Sequence, residues 1–138
     1  MNPPSVDIKD ILVADIFLPF QIGLDMVLGT TLFLDQEPAK PNKCVTIYDT
    51  GGFDRIPNVE YEQPTVQIRT RAAQGDFLIA YKLAKGISDL LHELTNETLD
   101  DSRIIAIWQM GDILRAGSLD DSDRPAFTAN FRIHRTPI

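Results

Sequence analysis

Residues 75–94, GDFLIAYKLAKGISDLLHEL, constrain this chain more than any other stretch. Apolar residues recur there at helical spacing behind Asp76, which stands where a helix N-cap belongs. Projected around a helix, Lys82, Lys85, Asp89, His92 and Glu93 share one polar arc, interrupted only by Leu78 and Gly86. The opposite face carries Phe77, Ile79, Ala80, Tyr81, Leu83, Ala84, Ile87, Leu90, Leu91 and Leu94. It spans roughly 200°, where a helix lying on one core needs little more than about 100°. One sheet cannot cover that much apolar surface. Either the first helix of the same chain covers the excess, or another subunit does.

The flanking segments indicate what this helix lies on. In PTVQIRTRA (64–72), Val66, Ile68 and Thr70 alternate with Thr65, Gln67, Arg69 and Arg71, the period of a strand with one core face and one polar face. Pro64 opens the strand, where a missing N–H donor is tolerated. FTANFRIHR (127–135) places Phe127, Ala129, Phe131 and Ile133 inward against Thr128, Asn130, Arg132 and His134. RIIAIWQMG (103–111) is a continuous apolar run that suits a central strand better than an edge. Cys44–Tyr48 forms a fourth candidate strand and Thr31–Asp35 a fifth, separated by the proline-bearing loop QEPAKPNK (36–43).

Near the N-terminus, Ile8, Ile11, Leu12 and Ile16 form a helical stripe over about Val6–Phe17, with Ser5 placed to cap and Asp7 in the first turn. Pro19 is expected to end that helix. The order predicts a single α+β domain over residues 1–138. Its sheet is mostly antiparallel, of four to five strands, with two main helices packed on one face. The polar stretch DILRAGSLDDSDRPA (112–126) reads as a loop longer than a simple hairpin needs.

Composition narrows the partners. A chain of 138 residues, 43% hydrophobic and 24% charged, is long enough for one core and unlike a disordered tract. A formal charge of −7 disfavours wrapping nucleic acid or coating an anionic membrane. The single cysteine, Cys44, cannot form an internal disulfide, and His92 and His134 have no zinc-site spacing with it. MNPPSVDIKD lacks the basic stretch and apolar core of a signal peptide, so a reducing cytosol is expected. The apolar stretch Ile16–Leu34 is broken by Pro19, Gln21, Gly23, Asp25 and Gly29 and reads as core-forming instead of membrane-spanning. Without secretion, the sequon NET (96–98) carries no weight.

The first candidate for chemistry is TIYDTGG (46–52), a β-prone run that stops at an acid, a hydroxyl and two glycines. A P-loop needs four residues between its glycines and a following helix, and neither is present. An aspartic protease needs a second Asp-Thr-Gly, which the sequence lacks. In LDDSDRP (119–125), Asp121 and Asp123 suggest calcium, but the glycine and glutamate of such a loop are missing, leaving a solvated acidic loop. His92–Glu93 has no second histidine at helical spacing, Cys44 has no activating partner, and no serine occupies a nucleophile elbow. No catalytic, cofactor or metal site is therefore expected. Arg69 and Arg71 are the suggestive pair, since two cations on one strand face repel unless something anionic answers them. That answer comes either from this chain or from a neighbour in an oligomer, where arginine's planar fork is favoured.

Taken in order, VTIYDTGG, PTVQIRTRA, the helix FLIAYKLAKGISDLL and LDDSDRPAFTANFRIHRTP resemble the minor capsid and tail terminator (tail completion) proteins of long-tailed bacteriophages, across roughly residues 44–137. The resemblance implies a non-enzymatic α+β subunit in the virion tail or neck, assembled in the host cytoplasm. Such subunits form a ring, commonly a hexamer, that caps the tail tube and meets the head connector. It implies no cofactor, no membrane and no sequence-specific nucleic acid, although DNA passes through such a ring. The subunit-interface candidates are then Asp49, Thr50, Gly51, Gly52, Arg69, Arg71 and Arg124. Two alternatives accompany this reading. One is a head-completion or connector protein of the same neck, and the other a small enzyme or ligand-binding domain using the Asp49–Gly52 turn.

Overall fold

The computed structural model describes residues 1–117 and 123–138. Among the described residues, three helices and six strands follow one another as α1 (Pro4–Ala14), α2 (Leu18–Ile22), β1 (Leu32–Leu34), β2 (Cys44–Gly52), β3 (Pro64–Arg71), α3 (Phe77–Leu91), β4 (Leu94–Thr98), β5 (Ser102–Ala116) and β6 (Ala126–Pro137). The strands form one sheet in the order β1-β2-β3-β6-β5-β4. All neighbours are antiparallel except β1, which runs parallel to β2. The α+β class is as expected, but the sheet has six strands and is mixed, and there is a third helix.

Each departure has a local cause. LTNET has no apolar alternation, and its strand character comes from pairing with β5 at the sheet edge, Leu94 opposite Ile107 and Thr98 opposite Arg103. Pro19 does not terminate α1. It lies in the first turn of α2, where its missing N–H costs nothing. Asp15 makes the break instead, leaving the helical region as the C-cap of α1 while its carboxylate accepts the N–H groups of Phe17 and Leu18. Ile16, expected in the helical stripe, is consequently 72% exposed. β5 continues to Ala116 and pairs back onto β6, so the first five residues of the supposed long loop belong to a hairpin arm bulged between Met110 and Leu114. The acidic run expected at 119–125 lies largely outside the described residues, which resume at Asp123.

The two alternating strands behave as their periods dictate. Val66, Ile68, Ala129, Phe131 and Ile133 are buried on the helix side with Ile8, Leu12, Leu83, Ile87 and Leu91. α1 packs on β2 and β3, and α3 packs on β6, β3 and β5. The excess face of α3 is met chiefly by α2, a covering helix the sequence did not reveal. Gly86 makes that contact possible, because a Cβ there would sit 2.2 Å from Ile22 Cγ2. Gly86→Ala is expected to lower the melting temperature, since overpacking of about 1–3 kcal/mol outweighs about 1 kcal/mol of helix propensity gained. A variant melting above the parent would contradict this packing.

Candidate functional site

Two neighbouring positions on β3 bring cations to one place. Arg69 and Arg71 point away from the helices, yet both are buried, at 7% and 5% exposure. The 36–43 loop folds over them, and Glu37 answers both charges, its Oε2 accepting from Arg69 Nε at 2.8 Å and its Oε1 from Arg71 Nη1 at 3.1 Å. The remaining donors go to carbonyls, Arg69 Nη2 to Gly117 (2.6 Å), Arg71 Nε to Asn42 (3.0 Å) and Arg71 Nη2 to Pro41 (2.6 Å). Arg124 joins from the far side, donating to the Ala39 carbonyl at 2.6 Å and to Asn42 Oδ1 at 3.3 Å. Of the two sources open for the answering carboxylate, this chain supplies it. Three arginines separated by up to 55 positions thus fasten one loop. Glu37 was invisible as their partner because nothing in QEPAKPNK fixes where the loop lies.

The Asp49–Gly52 segment is not a turn following a strand but the bulged end of β2, between Asp49 and Gly52 in the pairing with β3. Asp49 reaches the N-terminus of α1, accepting from Ser5 N (2.8 Å) and Ser5 Oγ (2.7 Å). A carboxylate is favoured there by the unpaired N–H groups and the helix dipole. The expected roles are exchanged, since Ser5 is inside the helix and Asp49 caps from a distant strand. Thr50 Oγ1 lies 2.8 Å from Thr65 Oγ1. Gly52, at φ 145°, lets Gln63 O approach to 2.5 Å of where a Cβ would stand. The adjoining groove, lined by Gly51, Phe53, Glu62 and Pro64, encloses 190 Å³, below the roughly 300–1,000 Å³ usual for ligand pockets. Asp49→Ala should cost about 0.5–2 kcal/mol. Faster amide exchange at Ser5 without loosening of α3 would locate the loss, and unchanged protection there would refute the cap.

A second buried network joins the chain's two ends. Asp7, 1% exposed, accepts from Arg135 Nη1 at 2.7 Å and from Ser102 Oγ at 3.0 Å. Arg135 also donates to the Asn2 carbonyl (2.7 Å) and, through Nη2, to Glu62 Oε1 (3.0 Å). Burial pushes the Asp7 carboxyl above its ordinary range, opposed by its bonds to Arg135 and Ser102. On the sheet's other face, Arg132 lies over the Phe53 ring at 3.9 Å, with Trp108 at 5.2 Å. His134 packs on Trp108 and Tyr61, where burial holds its imidazole below the usual value. Burial likewise raises the Cys44 thiol, as befits a core residue. Among the described residues no group of three or more metal-ligating side chains occurs, and no helix is long and apolar enough to cross a membrane.

Among the described residues, apolar surface remains uncovered at several places. One is the α1–α2 junction, with Ile16, Phe17 and Phe20 at 72%, 67% and 87% exposure. A second is the start of α3, with Phe77, Leu78 and Tyr81, and a third the 53–63 loop with Phe53, Ile56 and Val59.

No curated protein matches the chain. A chain of a solved structure described as the virion of a native gene transfer agent particle has the same fold. The two share 17% identity, with 97% of this chain and 95% of that one covered, at a TM-score of 0.71. Residues 21–137 match the sequence profile of the bacteriophage tail terminator proteins. That span holds α3, all six strands and the arginine-fastened loop, and so this chain belongs to the bacteriophage tail terminator family, structural proteins of the phage tail.

Proposed function

We propose that the chain acts without catalysis, as a ring of identical subunits, six in number by analogy with the family's common form, that ends the tail tube and joins it to the head connector. The observation that carries this reading is the apolar surface left bare at separate places on a family member whose core is otherwise closed. A soluble chain rarely leaves such surface without a partner. In this reading the protein is assembled in the host cytoplasm, resides at the tail or neck of the virion and lets DNA pass through the ring without reading its sequence. The likeness to a chain of a gene transfer agent virion supports a place in such a particle.

Of the interface candidates, Asp49, Thr50, Gly51 and Gly52 are exposed and reach a neighbour directly. Arg69, Arg71 and Arg124 are buried, so they act through the loop they fasten. Electron microscopy of particles produced without the protein tests the assignment. Filled heads beside overlong or unjoined tails are expected. Emptied, leaking heads with tails of normal length would replace this reading with a head-completion role.

A further inference from the structure

The 53–63 loop has little beneath it. Every residue from 51 to 60 is exposed, and what holds the loop lies at its base. There the Phe53 N–H donates to the Gln63 carbonyl (3.1 Å), and Glu62 and Arg135 exchange backbone bonds (2.9 and 3.0 Å). Side chains on the outer face of the sheet supply the rest. Arg132 donates to Gln63 Oε1 and covers the Phe53 ring at 3.9 Å. Two residues further along β6, His134 is wedged between the loop and β5, its ring 5.0 Å from Tyr61, edge-on at 83°, and 4.2 Å from Trp108.

Within this stack, His134 is the member whose charge changes near neutral pH. Its Nε2 is buried and has no hydrogen-bond partner among the described residues. An imidazolium carries an N–H on both nitrogens, so proton uptake in the closed stack buries a charge and leaves a donor unanswered. The titratable and charged groups around it are Tyr61, Glu60 and Glu62 on the loop, Arg103 on β5, and Arg132 and Arg135 on its own strand. Arg132 is a like charge, Arg103 is turned to Asn96, and the Glu62 carboxylate is held by Arg135 at 3.0 Å. Burial, and none of these charges, holds the imidazole below its ordinary value of 6.5. Lifting the loop admits water to the ring and removes that restraint. We infer that the 53–63 loop is a pH-sensitive flap, latched to the outer face of the sheet while His134 is neutral and released when His134 takes up a proton. The closed form binds the proton less well than the open form, so its stability is complete above about pH 6.5 and falls as pH drops below that value. The latch belongs to the single chain and does not rest on the ring reading.

The test is amide hydrogen exchange on the full-length chain between about pH 7.5 and about pH 5.5, each rate divided by the intrinsic chemical rate at that pH. Opening at the Phe53 and Glu62 amides is expected to rise by up to about tenfold at the acid end, the most that one pH unit below the ordinary histidine value allows. Leu83 and Ile87 in α3 should keep their protection throughout. His134→Phe retains a ring that cannot charge, and its Phe53 and Glu62 amides should show no such rise. His134→Gln, neutral and polar, gives the same comparison where the phenylalanine packs badly. A readout free of substitution is the His134 imidazole titration followed by NMR in the parent, which should track the opening of the loop. Flat exchange at Phe53 and Glu62 in the parent, or loosening of α3 in parallel, overturns the latch. So does an imidazole that titrates while the loop stays closed, or a rise that survives in either variant and so belongs to the Glu62 or Asp7 carboxylate.

Discussion

Replacing Glu37 by alanine is expected to cost about 3–5 kcal/mol, the loss typical of removing one partner from a buried ion pair. The side chain is only 4% exposed and is the carboxylate shared by Arg69 and Arg71, themselves 8% and 6% exposed at the side chain. A buried carboxyl can escape such a loss by taking up a proton, but a guanidinium has no neutral form to retreat to. Both arginines would keep their carbonyl partners at Gly117, Asn42 and Pro41 yet lose the charge that offsets their desolvation. Against a usual total of about 5–15 kcal/mol, that is a large fraction of the fold's stability. The urea midpoint should fall by roughly 1–5 M at slopes of about 1–3 kcal/mol/M. Glu37→Gln, which keeps the shape and one acceptor, should recover part of the loss. A Glu37→Ala midpoint within experimental error of the parent would show that the loop, and not the ion pair, holds itself in place.

Arg135→Ala should cost a similar amount near neutral pH, and here the loss depends on pH. Removal of the guanidinium leaves Asp7 buried with Ser102 as its remaining side-chain donor. Its carboxyl, already raised by burial in the parent, then rises further because Arg135 no longer opposes the shift. A carboxyl whose folded pKa lies above its unfolded value binds more protons when folded between those two values, so stability increases as pH falls through that window. The deficit relative to the parent should therefore be smaller at pH 5 than at pH 7. Urea melts of both proteins at the two pH values measure it directly, and a deficit that stays constant or grows in acid would remove Asp7 from the explanation.

The parts legible in the sequence were those fixed by local periodicity. The α3 pattern placed Leu83, Ile87 and Leu91 inward, and alternation sorted Val66 and Ile68 from Arg69 and Arg71, because a helix or strand assigns its faces from its own spacing. What pairs with what was not legible. LTNET is a strand only because β5 offers it a backbone edge, and Pro19 reads as a terminator until Asp15 is seen to cap the helix that begins there. Asp49 looked like half a catalytic motif, yet its carboxylate is taken up by Ser5, 44 positions away.

The interface candidates divide along the same line. Alternation established that Arg69 and Arg71 share a face and that their charges need an answer. It could not say that a loop from residues 36–43 covers that face, since the loop's course depends on contacts with three arginines, two on β3 and one just ahead of β6. The sequence by itself determined the α+β class, the inward faces of the main elements, the resemblance to tail terminators and an apolar helix surface too wide for one sheet. Tertiary structure alone decided that α2 covers one edge of that surface beside Gly86 while the Phe77–Tyr81 end stays bare, and that Glu37 and Asp7 hold the buried arginines. Period fixes a residue's direction within its own element, whereas burial and charge pairing arise only when distant segments exclude water together.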